Sequence, residues 1–192
     1  MHFIIQETKI RQNMSIISAH GKSFETFLTH EIIQSRIAEI CKILSEKYAG
    51  RTPVFLGIMN GAFMFAAEVM KKMSIDCEIS FVKLKSYVGD QSSGEITQML
   101  GLDCKLEGRD VIILEDIVDS GRTLHYFLPE LKKHNPSSIS LFTLLVKPDA
   151  MKFEVPIDYA GFAVPNLFLI GFGLDYDGLG RNLCDIYQAI EN

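Results

Sequence analysis

Residues 111–124 read VIILEDIVDSGRTL. Val111, Ile112, Ile113 and Leu114 form a short continuous apolar run, which predicts a strand buried on both faces. Glu115 and Asp116 stand where that strand is expected to end. A third carboxylate, Asp119, opens a tight turn with Ser120 and Gly121, and a helix is expected from about Arg122 and Thr123. Glycine lets the backbone turn sharply and come close to a guest. Successive N–H groups over 119–123, at a helix start, make a nest for an anion, with the Ser120 and Thr123 hydroxyls as extra donors. A phosphate suits such a nest. Glu115 and Asp116 can accept hydrogen bonds from a sugar diol, and their charge favours a nearby Mg²⁺. Negative charge beside a sugar also stabilises an oxocarbenium-like transition state. Asp119 is then free to act on a base.

Outward from this segment the same alternation continues. Toward the N-terminus, Ile33, Ile37, Ile40, Cys41, Leu44 and Tyr48 recur at helical spacing between Thr29, a candidate N-cap, and Gly50, a candidate stop. Residues 53–59, PVFLGIM, predict a buried strand closed by Asn60-Gly61, and 62–72 a helix. Residues 77–84 and 95–100 predict two strands joined by a long polar connection, a hairpin with a mobile loop. Beyond the central segment, 122–134 predicts a helix, and 138–146 and 167–173 predict strands. Alternating buried strands and helices predict an α/β domain with a mainly parallel central sheet flanked by helices. In such sheets ligands sit outside the carboxyl ends of the strands.

The chain has 192 residues, 47 % hydrophobic and 22 % charged, a balance suited to one globular domain, 1–192. A net charge of −5 gives no sequence-wide positive field to displace counterions, so nucleic-acid binding is not expected. Cys41, Cys77, Cys104 and Cys184 form no C-x-x-C pair. They read as reduced thiols rather than a zinc site or a disulfide framework. No run reaches the roughly 18 apolar residues of a membrane span, and the N-terminal stretch lacks the features of a signal peptide. A cytoplasmic location is the expectation, with Met1 and Met14 both candidate starts.

The order E-D-I-V-D-S-G-R-T, 115–123, resembles the PRPP-binding motif of type I phosphoribosyltransferases, in the form used by the hypoxanthine-guanine branch. The resemblance runs from about Phe24 to the end. It implies the type I phosphoribosyltransferase fold, with a small hood subdomain built from the N-terminal segment and about 155–192. It implies transfer of the 5-phosphoribosyl group of PRPP to a 6-oxopurine, with pyrophosphate released and Mg²⁺ as cofactor. Site roles follow from it by position. Asp119, Ser120, Gly121, Arg122 and Thr123 would hold the 5-phosphate, and Glu115 and Asp116 the ribose hydroxyls near Mg²⁺. Asp119 would exchange a proton with the imidazole-ring nitrogen of the base.

GIMNGAF, 57–63, is similar to the family's pyrophosphate loop. There Met59, Asn60 and Gly61 would meet the leaving group, often with a cis Met59–Asn60 peptide; Asn60 stands where the family commonly has Lys. KLKSYVGDQSSGE, 83–95, is similar to the mobile catalytic loop, in which Ser86 and Tyr87 would close over PRPP. Lys147 would reach the exocyclic oxygen of the purine. In DYAGFAVPN, 158–166, Tyr159 would stack on the base and the Ala160 backbone would hydrogen-bond its edge. Asn166 would stand at a second metal position, where many members have Asp. Arg181 matches an arginine that contacts pyrophosphate. Family members form homodimers or homotetramers. A regulator that senses PRPP on the same fold is the alternative, although the added DNA-binding domain or basic face expected of one is not visible here.

Overall fold

The computed structural model describes residues 15–86, 96–102 and 104–190. In chain order the elements are β1 (Ile16–Ala19), β2 (Lys22–Leu28), α1 (His30–Lys47), β3 (Val54–Met59), α2 (Phe63–Lys72), β4 (Glu78–Ser86) and β5 (Ile96–Leu100). Then follow β6 (Asp110–Val118), α3 (Arg122–Lys132), β7 (Ser138–Val146), β8 (Tyr159–Ala163), β9 (Leu169–Ile170) and β10 (Ile186–Ala189). A six-stranded sheet has the order β5-β4-β3-β6-β7-β8. Its strands are parallel except β5, which runs antiparallel to β4. This is the expected mainly parallel α/β architecture.

Alternation within the buried strands divides the core between two helix layers. Phe55, Ile112, Leu114, Phe142 and Leu144 pack with the Ile33, Ile37, Ile40 and Leu44 stripe of α1 and with Phe65 and Val69 of α2. Val54, Leu56, Ile113 and Leu141 pack with Leu124, Phe127, Leu128 and Leu131 of α3. Phe65 and Phe142 meet edge-to-face at 4.7 Å across the first layer.

A second sheet, order β1-β2-β10-β9, is antiparallel and joins the two ends of the described chain. Phe24, Ile170 and Tyr187 form its own small core. This sheet is the hood. Its boundary differs from the expected one: β8 lies in the large sheet, paired in parallel with β7, so the C-terminal part of the hood begins after Ala163. The hood is tied to the large layer at one helix end. The Asp185 carboxylate accepts the backbone N–H of His30 at 2.7 Å, whereas Thr29, at the N-cap position, makes no side-chain cap bond.

Candidate active site

β6 is longer than its apolar run foretold. It continues through Glu115 and Asp116 to Val118, because β7 keeps pairing with it as far as Val118↔Val146. On its other side β3 pairs only up to Gly57↔Leu114. Glu115 and Asp116 therefore lie inside the strand, level with the point where β3 departs. The gap so opened, at the carboxyl ends of β3, β6 and β7, is the site.

Past Val118 the chain turns through Asp119, Ser120 and Gly121 into α3. Gly121 has φ +77°, and a Cβ there would stand 2.6 Å from the Phe153 carbonyl oxygen. Both the left-handed backbone and the close approach require glycine. The segment behind the turn clasps it, with the Lys152 and Phe153 N–H groups donating to the Ser120 carbonyl at 3.0 and 3.1 Å. In front, Glu115, Ile117, Asp119, Ser120, Arg122 and Thr123 line an open cup. The first N–H groups of α3 have no intrahelical partners, and that of Arg122 donates to Ser120 Oγ at 3.4 Å; donors at a helix start suit an anion.

Lys147 directly follows β7, and its N–H donates to the Val118 carbonyl at 2.9 Å. That register brings its ammonium to Asp119 Oδ2 at 2.9 Å. The lysine side chain is 10 % exposed and the aspartate 52 %, so the pair spans from the interior to the rim of the cup.

β3 ends in the Met59–Asn60 peptide, which is cis. Asn60 is exposed. Gly61 fits because a Cβ would stand 1.8 Å from Asp116 Oδ2, and Gly173 fits because one would stand 2.0 Å from the Gly61 carbonyl oxygen. The 171–181 loop thus presses on the β3–α2 turn, which presses on Asp116. Within that loop Arg181 gives one N–H to the Gly173 carbonyl at 2.7 Å and pairs with Asp175 at 2.6 Å. Asp175 also accepts the Gly178 N–H at 2.7 Å.

The electrostatics concentrate on two neighbours. Burial, and then the charge of Asp116, push the Glu115 carboxyl well above the usual carboxylate range. Its Oε2 is buried without a hydrogen-bond partner. Burial pushes Asp116 up to about 6; N–H bonds from Ile117 and its own backbone and the Arg181 guanidinium oppose this, while Asp175 adds to it. Asp116, Asp175 and Arg181 are thus one electrostatic cluster. Among the described residues no three His, Cys, Asp or Glu side chains are grouped to hold a metal ion on their own, so a hard cation here would take most of its oxygens from a substrate.

Two expected base contacts are not brought here. Tyr159 begins β8 and pairs with Phe142, while Ala163 pairs with Val146 at the strand ends. Tyr159 is therefore about 13 Å down the sheet from the site edge at ~3.3 Å per residue. It packs against Phe142 at 6.4 Å, with the Lys47 ammonium 5.3 Å from its ring centre. The Ala160 carbonyl is taken by Arg36 at 3.3 Å. Tyr159 packs on the α1 side of the core and the Ala160 side chain on the α3 side. Phe168, on the connection after β8, is 47 % exposed. It stands four residues past Val164, whose N–H bonds the Val146 carbonyl beside Lys147. Asn166 is exposed on the same connection, and the carboxylate coupled to Asp116 is Asp175 instead. In the sequence Phe168 falls inside the apolar run 167–173, expected as a strand, and Asp175 is not among the expected site residues. The Pro165-Asn166 turn just before Phe168, and the glycine-rich spacing from Asp175 to Arg181, were the available signals. Ser86 ends β4 opposite Ile96, and Tyr87 lies outside the described residues.

A family model for the phosphoribosyl transferase domain matches residues 23–177. The chain is 41 % identical over 160 residues to the hypoxanthine-guanine phosphoribosyltransferase of Lactococcus lactis, covering 83 % of this chain and 87 % of that protein. It is 37 % identical over 160 residues to the Bacillus subtilis protein of the same name, covering 83 % and 89 %. Among solved structures, a hypoxanthine phosphoribosyltransferase from Staphylococcus aureus superposes with a TM-score of 0.79 at 33 % identity, covering 86 % of this chain and 91 % of that one.

Proposed function

Because this chain belongs to the phosphoribosyl transferase family, we propose that it joins a 6-oxopurine, hypoxanthine or guanine, to the 5-phosphoribosyl group of PRPP in purine salvage. The observation that carries this reading is the Asp119–Lys147 pair at the rim of an N–H-lined cup. One turn there offers a phosphate nest and, beside it, a carboxylate and an ammonium at hydrogen-bond distance from one another.

The 5-phosphate enters the cup over 119–123, held by backbone N–H groups and the Ser120 and Thr123 hydroxyls. The ribose hydroxyls face Glu115 and Asp116. The pyrophosphate group lies along Met59, Asn60 and Gly61, with Arg181 as the nearby cation. A purine ring nitrogen attacks the anomeric carbon, the bond to pyrophosphate breaks, and positive charge develops on the sugar ring. The proton displaced from the imidazole ring of the base passes to Asp119, and Lys147 donates to the exocyclic oxygen. An amino group there would leave the buried ammonium unpaired, so the site rejects 6-aminopurines. Phe168 supplies the stacking ring in place of Tyr159. Mg²⁺ carried in with PRPP would lie beside Glu115 and Asp116 and would supply charge neutralisation for the leaving pyrophosphate.

The described residues contain no helix long and apolar enough to cross a membrane, and the free cysteines suit a cytoplasmic enzyme. A homodimer or homotetramer is the proposed assembly, to be read by light scattering.

Incubation with PRPP, Mg²⁺ and hypoxanthine, followed by absorbance, tests the reading. Nucleotide and pyrophosphate are expected in equal amounts. No turnover with hypoxanthine, guanine or xanthine, in a protein that still binds PRPP, would point to a regulator instead.

A further inference from the structure

The turn between β1 and β2 lies against the aromatic group that carries Phe168. His20 and Gly21 make a two-residue hairpin turn with φ +48° and +74°, the left-handed pair that matches strand twist. The turn stands just ahead of residue 23, where the family match begins. It sets the His20 ring edge-to-face on Tyr176 at 5.2 Å. Lys22, the next residue, places its ammonium 5.1 Å from the Tyr176 ring centre and 5.9 Å from that of Phe168. Tyr176 in turn meets Phe168 edge-to-face at 5.3 Å, and Phe24 lies 6.1 Å from it on the hood core side.

Phe168 is 47 % exposed. An exposed ring on a short connection is free to change rotamer unless neighbours fix it, and a stacking surface that must first be ordered binds more weakly. Here an ammonium and two aromatic rings limit it. Lys22 takes no part in the cup, the carboxylate cluster or the Asp119–Lys147 pair.

We propose that Lys22, backed by Tyr176 and His20, is a positioning residue for base recognition that holds the Phe168 ring in its stacking orientation. This rests on the reading of Phe168 as the surface on which the purine stacks. Lys22 meets Phe168 directly and touches the 171–181 loop only at the Tyr176 ring, so its effect is expected to fall on the base rather than on PRPP.

Steady-state kinetics with hypoxanthine and PRPP on the full chain, for Lys22→Ala, Lys22→Arg, Phe168→Ala and the Lys22→Ala/Phe168→Ala double variant, test this. Lys22→Ala is expected to raise the KM for hypoxanthine about twofold to fivefold, the size of one exposed cation–aromatic contact. The KM for PRPP and kcat should stay put, and Lys22→Arg should restore the base KM. Phe168→Ala should raise the base KM about tenfold or more. In its background Lys22→Ala should add nothing, since the ring it orients is gone. If Phe168→Ala raises the base KM but Lys22→Ala does not, or if the lysine effect persists in the double variant or moves both KM values together, the inference is overturned while the stacking role stands. If Phe168→Ala leaves the base KM unchanged, the stacking role and this inference fall together.

Discussion

Asp119 and Lys147 show how much one contact can set. A general base gains about 10²–10⁴ in rate, so Asp119→Asn is expected to lower kcat by that factor while PRPP binding, held mainly by backbone N–H groups, persists. Near wild-type turnover in that variant would remove Asp119 from the proton transfer. Asp116 offers a test by pH. Its carboxyl is raised from 3.8 to about 6, mainly by burial, so the folded state binds the proton more tightly than the unfolded one. Its contribution to stability is full below about pH 4 and is lost as pH rises through about 6. The loss is at most about 3 kcal/mol at 1.36 kcal/mol per unit. Asp116→Asn should therefore gain on the ligand-free wild type in melting temperature between pH 4 and 7; a constant difference across that window would contradict the burial account. Tyr159→Leu is expected to lower stability through lost contact with Phe142 and to leave the base KM unchanged. The three carboxylates were legible because their order around the turn is unusual, whereas Lys147, at the end of another strand, was named only through the family resemblance. Tyr159 and Phe168 were not legible, since both are aromatic residues near the strands at the end of the chain. The register of β8 against β7, which no single-strand pattern reveals, separates them.

At the level of elements, β6 is the clearest lesson. Its apolar run ends at Leu114, and the carboxylates that follow read as a loop, yet the strand runs on to Val118. A partner on one side suffices to extend it, and polarity at Glu115 and Asp116 marks the loss of β3 rather than the end of the strand. The helices were more legible, because α1, α2 and α3 each bury a stripe at the helical period. The glycine contacts around the β3–α2 turn were visible as residues but not as contacts. Gly61→Ala would drive a methyl group into the Asp116 carboxylate. The expected result is a fall of about tenfold or more in kcat/KM for PRPP, in line with the cost of a small misplacement of a positioned group. A variant with unchanged PRPP kinetics would show that Asp116 can move freely.

For the whole molecule, the hood and the parallel sheet are separate layers made from distant parts of the chain. β2 and β10 pair across more than 150 residues, and such a pairing has no local signature. For that reason β1, β2 and β10 went unread while the α/β core was plain. Asp185 joins the layers at the first turn of α1, and truncating it should cost about 0.5–2 kcal/mol, as for other helix caps. Asp185→Ala should melt several degrees lower; an unchanged melting temperature would mean that the His30 N–H is satisfied by water at no cost.

Within the proposed reaction, the Asp119–Lys147 contact has a last consequence for selectivity. A vacant site is already electrically content, because each partner answers the other. An arriving purine must do so twice over, offering an oxygen to the ammonium and a proton to the carboxylate. A molecule that manages only half of that exchange leaves one partner stranded, and the old handshake closes behind it as it departs.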